Sequence, residues 1–99
     1  MSNISISSPF LTSLTHADYS VGTASSQLLF PASAGQRRVL TVIQNKHSTA
    51  KVQVILNATG DVGILIPANS NLSLDNYNGP VRCISDTAST PVHVAFAIV

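Results

Sequence analysis

Three stretches of the chain alternate with a period of two, and that period constrains the fold more than any other feature. Val39, Thr41 and Ile43 alternate with Leu40, Val42 and Gln44. Val52, Val54 and Leu56 alternate with Gln53, Ile55 and Asn57, and Val92, Val94, Phe96 and Ile98 fall on every second position of the last segment. Successive side chains of a strand point to opposite faces, so each stretch predicts a strand that buries one face, whereas an amphipathic helix needs a period of 3.6. No stretch sustains that helical period, and the expected fold class is all-β.

Turn residues punctuate the chain at a spacing that suits short strands. Residues 27–30 read as a strand ended by Pro31, and Ala34-Gly35-Gln36 turns the chain into a strand over 37–45. A loop at Lys46 to Thr49 leads to a strand over 50–57, and Thr59-Gly60-Asp61 turns into a short strand over 62–66 that stops at Pro67. Asn71 to Asp75 places Leu72 and Leu74 on one face. Asn76-Tyr77-Asn78-Gly79 is a strong loop signal, because Asn and Gly accept the left-handed conformation. Strands over 80–85 and 91–99 complete the set. About seven short strands with short connections predict a small antiparallel β-sandwich, jelly-roll or Greek-key in connectivity, over residues 27–99. Val39 or Leu40, Val54, Leu72 or Leu74, Ile84 and Phe96 are its expected core.

Residues 1–26 read differently. Isolated apolar residues stand among Ser and Thr, and Pro9 and Gly22 interrupt any regular element, which predicts an extended N-terminal arm. The arm either docks on another subunit or folds back across its own domain; in the first case its large apolar and aromatic side chains, Phe10, Leu11, Leu14 and Tyr19, are the expected contacts, since such residues dominate interface energetics.

The chain has 99 residues, enough for one domain, and only 9% of them are charged. Neutral polar side chains lose less hydration on contact than Lys or Glu, so this composition predicts a large interface and a homo-oligomer. The net charge is +1, with Arg37, Arg38, Lys46, Lys51 and Arg82 scattered, which is a poor footprint for nucleic acid. Cys83 alternates with polar residues and reads as a small buried hydrophobe. No apolar run approaches the ~18 residues of a membrane span, and the first residues lack the pattern of a signal peptide.

Catalytic patterns are sparse. His16, His47 and His93 fall in the arm, a loop and the last strand without the spacing of a metal site, so no metal or cofactor is expected. No Gly-x-Ser-x-Gly elbow accompanies the serines, and the chain is not expected to be an enzyme. Gly60-Asp61-Val62-Gly63 is better explained by a hairpin turn than by a phosphate loop, because no helix follows it. Asp61, Asp75 and Asp86 read as turn caps.

From Arg37 to Val99 the segments RRVLTVIQN, VQVILN, GILIPANSNLSLDN, GPVRCIS and PVHVAFAIV occur in order. This succession resembles small structural proteins and head- or tail-attached β-domains of tailed bacteriophages, departing at Pro67-Ala68-Asn69-Ser70, where a glycine-containing turn is more usual. The resemblance implies a virion protein assembled in the host cytoplasm, a capsid decoration or cement protein whose partners are the major capsid protein or other virion subunits. The alternative is a receptor- or glycan-binding knob of a head or tail fibre. Its loops at Lys46 to Thr49 and Asn76 to Gly79 would then make the contacts.

Overall fold

The structure, a computed structural model, describes residues 14–31, 35 and 37–98. It contains eight strands: β1 Thr15–Val21, β2 Gln27–Phe30, β3 Arg38–Asn45, β4 Val52–Ile55, β5 Ile64–Ile66, β6 Asn71–Asp75, β7 Val81–Ser85 and β8 Thr90–Ile98. The described residues form no helix. Two four-stranded sheets result, sheet A in the order β1-β8-β3-β6 and sheet B in the order β2-β7-β4-β5.

The pairing follows one rule. β1 pairs with β8, β2 with β7, β3 with β6 and β4 with β5, all antiparallel. The chain is thus one long antiparallel ribbon whose successive pairs alternate between the sheets, and the β3–β8 and β4–β7 contacts close each sheet. That is the jelly-roll connectivity.

Inward-facing residues of both sheets make the core: Val21, Ile43, Val92 and Val94 from sheet A, and Leu29, Val52, Val54, Ile66, Val81 and Cys83 from sheet B. Burying a side chain of this kind contributes about 1.5–3 kcal/mol. Polar groups plug both ends of the sandwich, where strand ends leave carbonyls without ladder partners. At one end the Arg38 guanidinium lies 4.5 Å from the centre of the Phe30 ring, which stacks on Phe96 with centroids 5.7 Å apart. Arg38 Nη2 donates to the carbonyls of Pro31 (3.2 Å) and Gly79 (2.5 Å). At the other end the fully buried Asn45 Nδ2 donates to the carbonyls of Ala50 (2.7 Å), Pro67 (3.1 Å) and Ile66 (3.2 Å).

Three findings differ from the expectations. Residues 15–21, expected within the arm, form β1 and pair with β8 from Thr15–Phe96 to Val21–Thr90, so the sandwich begins before residue 27. On that strand the half-buried Tyr19 packs against the core, where desolvation raises its phenol above the ordinary value. Ile84 faces outward, because Val81 and Cys83 take the inward positions of β7. Finally β3 buries both faces: Leu40 and Val42, on the side away from sheet B, are as inaccessible as core residues. Leu14 is half-buried just before β1, and Phe10 and Leu11 lie outside the described residues.

Candidate functional site

Two surface features stand apart from the core. The first is the outer face and free edge of sheet B. The β4–β5 connection, residues 56–63, lies against that face beside Ile55, which is 1% exposed. Gly60 has φ 119°, a conformation L side chains rarely adopt, and Gly63 passes so close to the Val54 carbonyl that a Cβ there would collide with it. Polar bonds hold the loop down. Ser26 donates from its amide to Asp61 Oδ1 (2.8 Å) and from its hydroxyl to the Gly60 carbonyl. Arg82, outward-facing on β7, donates from Nε to Ser26 Oγ (2.8 Å), from Nη2 to the Ser26 carbonyl (2.6 Å) and from Nη1 to the Ala58 carbonyl (3.3 Å).

Beyond this loop the face is open. Leu65, Gln53 and Ile84 sit side by side across β5, β4 and β7. With Lys51, Asp61, Ser85 and Asp86 they line a shallow depression of about 230 Å³. Asp86 Oδ1 accepts the Lys51 amide (3.0 Å) and the Thr87 hydroxyl (3.0 Å), and the Lys51 amide is the main reason its carboxyl sits below the ordinary value. The edge strand beside the depression carries an exposed apolar strip: Leu65, 53% exposed, on the outer face with Gln53, Ile64, 45% exposed, on the side of Val54, and Val62, 84% exposed, just before the strand. Strand β5 is an edge of sheet B, so backbone donors and acceptors lie beside these side chains. Large apolar side chains on an open edge are the usual mark of a surface that meets another chain.

The second feature is a hydrogen-bonded row on sheet A. The β1–β8 register sets Asp18 opposite His93, and His93 Nδ1 lies 2.7 Å from Asp18 Oδ1. On the far side of the ring, His93 Nε2 lies 2.8 Å from His16 Nδ1. The His93 bond is the main cause that holds the Asp18 carboxyl below its ordinary value. An acid orienting one imidazole against another resembles part of a relay, but hydrolysis also needs a hydroxyl or thiol on the outer histidine. Among the described hydrogen bonds His16 has no such partner. Cys83 is buried between the sheets, and burial pushes its thiol up to about 12, which leaves little thiolate.

The fold therefore unites two of the three histidines and leaves His47 apart, where its Nδ1 accepts the amides of Ala50 (2.9 Å) and Thr49 (3.0 Å) within a loop. Among the described residues no three His, Cys, Asp or Glu side chains gather in a way that could hold a metal ion. Asp61 and Asp86, expected as turn caps, instead accept amides 35 positions away, from Ser26 and Lys51, and so tie distant segments together. Of the expected contact residues, only Leu14 and Tyr19 can be placed, and neither belongs to the exposed strip. That strip escaped the sequence reading because Ile64 and Leu65 are apolar strand residues, and only the edge position of β5 leaves them uncovered. No protein-family model matches the chain, and no curated protein matches it.

Proposed function

We infer that the chain is a structural protein of a bacteriophage virion, a decoration or cement protein that stabilises a shell by contacts with the major capsid protein or other virion subunits. The observation that carries this reading is the apolar strip Val62, Ile64 and Leu65 on the open edge of sheet B. Beside it the neutral Gln53 and Ser85 stand among the charged Lys51, Asp61 and Asp86, and separating the docked surfaces re-exposes apolar area to water. The low charge of the whole chain supports the same reading, as does the resemblance of its strand sequences to phage β-domains. Jelly-roll connectivity is compatible with it but hosts many functions. The test is whether the protein copurifies in stoichiometric amounts with intact shells, and whether Val62→Asp with Leu65→Asp abolishes that association while the melting temperature stays within a few degrees.

A second reading, a receptor- or glycan-binding knob, draws on the depression beside the strip. There the Asp61 and Asp86 carboxylates, the Gln53 amide and the Lys51 ammonium surround two apolar side chains, a mixture able to hydrogen-bond a sugar and pack its carbon face. Among the described residues no Tyr or Phe lines it for stacking. A rise in melting temperature with a glycan, lost on Asp86→Asn, favours this reading over attachment to a shell.

A further inference from the structure

We propose that strand β5 pairs edge to edge with β5 of a second copy of this chain, joining two sandwiches through one continuous sheet B. Among the described residues each sheet ends in two edge strands, β1 and β6 in sheet A and β2 and β5 in sheet B. An edge strand offers a row of N–H and C=O groups to any other strand, and proteins guard such rows with charged side chains or bulges. Three of the four are guarded in this way. β1 carries His16 and Asp18, β6 carries Asp75, and β2 is interrupted by a register shift between Leu28 and Phe30. In contrast β5, Ile64-Leu65-Ile66, holds no charge, and its register with β4 runs without a shift from Val54–Ile64 to Val52–Ile66. Its length of three residues is its one guard, so backbone pairing alone is weak and the exposed apolar side chains must supply the rest.

The chemistry of β5 selects its like. Pairing it with β1 or β6 of another copy would set Asp18 or Asp75 beside Ile64 and Leu65, where a carboxylate loses water and gains no partner, and pairing it with β2 would meet the register shift. Only β5 against β5 brings apolar residues to apolar residues along the whole contact. The two-fold antiparallel arrangement that uses all three residues is centred on Leu65. It sets Leu65 against Leu65 of the second copy on the outer face, and Ile64 against Ile66 of the second copy on the inner one. Leu65, 53% exposed, and Ile64, 45% exposed, thereby each gain an apolar neighbour on the side that is open in a single copy. A formal net charge of +1 opposes the approach of two copies only weakly. Edge pairing takes up backbone groups in the plane of the sheet and leaves the outer face of Gln53 and Ile84 open, so it is compatible with attachment to a shell. The proposal shares the exposed strip with that reading, but its test contains no shells, and either can fail alone.

Sedimentation equilibrium of the full chain tests it. The native mass should rise with concentration from 10.4 kDa toward twice that value. Leu65→Lys and Leu65→Glu each set like charges about 4.5–5.5 Å apart across the two-fold, so each variant alone should stay a monomer, while an equal mixture of the two recovers the dimer. Recovery on mixing requires that residue 65 face its own copy. If the variants do not fold, hydrogen exchange of the native chain decides. The outward amides of β5 should exchange about tenfold or more slowly in concentrated than in dilute protein, with β1, β2 and β6 unchanged. A native chain that stays at 10.4 kDa at every concentration overturns the proposal, as does a dimer that persists in Leu65→Lys. A mixture that stays monomeric, or concentration-dependent protection of β1, β2 or β6 in place of β5, overturns it as well.

Discussion

On sheet A the central strands β3 and β8 bury residues on both faces, whereas on sheet B the central strands β4 and β7 bury the inner face and, on the outer one, only Ile55 beside residues 56–63. The two outer faces solve the same problem with different materials. Sheet A presents an apolar patch of Leu40, Val42, Ala95 and Ala97, which water scarcely reaches, bordered on the same face by His16, His93, Ser73 and Asp75. Sheet B alternates Gln53 and Arg82 with Ile55 and Ile84 and sets a polar-tied loop beside Ile55, with Val62, Ile64 and Leu65 at the rim. A patch that water scarcely reaches reads as an internal surface. An apolar rim beside a polar face reads as a surface for another molecule.

The comparison breaks first on stability. Leu40→Ala should cost about 2–5 kcal/mol, as a core truncation does, while Leu65→Ala should stay within about 0.5 kcal/mol. Urea unfolding of both variants checks this, and equal costs erase the distinction between the faces. Next in size is the loop clamp. Arg82→Met removes donors from the Ser26 and Ala58 carbonyls and should cost about 1–3 kcal/mol. Hydrogen exchange should quicken in residues 56–63 while the amides of β3 and β8 keep their protection.

A titration then probes the core that the two faces share. The buried Cys83 thiol has its value raised from 9.0 to about 12 in the folded protein, so the folded state holds its proton where the unfolded chain has lost it. The stability this contributes is complete below pH 9 and is lost as the pH rises toward 12. Cys83→Ala should flatten that alkaline decline in a series of denaturation curves. The smallest effect compares the faces again. Asp18 on sheet A and Asp86 on sheet B both titrate below 3.8, so the stability each adds is present above that pH and fades as the pH falls through the folded value. Asp18 depends chiefly on a side chain and Asp86 on a backbone amide. His93→Ala should therefore bring the Asp18 carboxyl back toward its ordinary value in an NMR titration and leave Asp86 unmoved.

How much of this was legible depended on what decides each feature. Seven strands follow from alternation and turn residues, because those signals are local. Strand β1 carries the same signal, with Thr15, Ala17, Tyr19 and Val21 alternating with His16, Asp18 and Ser20, but its polar composition and the flanking Pro9 and Gly22 outweighed it. In Val81-Arg82-Cys83-Ile84 the direction of Ile84 rests on register, since hydrophobicity alone does not choose between adjacent apolar residues. Double-sided burial of β3 had a trace in the nearly continuous apolar run Val39 to Ile43, a pattern of strands covered on both faces. The meeting of His16 with His93 across 77 positions, and the exposure of β5 at an edge, are products of sheet order that no local pattern encodes.

The central claim is that the rim of sheet B is the surface by which this protein attaches to a shell. Its most direct test is cosedimentation with intact shells of the kind proposed above as its partner, comparing the native protein with the Val62→Asp, Leu65→Asp variant at matched melting temperature. The account predicts stoichiometric sedimentation of the native chain and its loss in the variant. Stoichiometric sedimentation of the folded variant, or failure of the native chain to sediment with the shells, would contradict it.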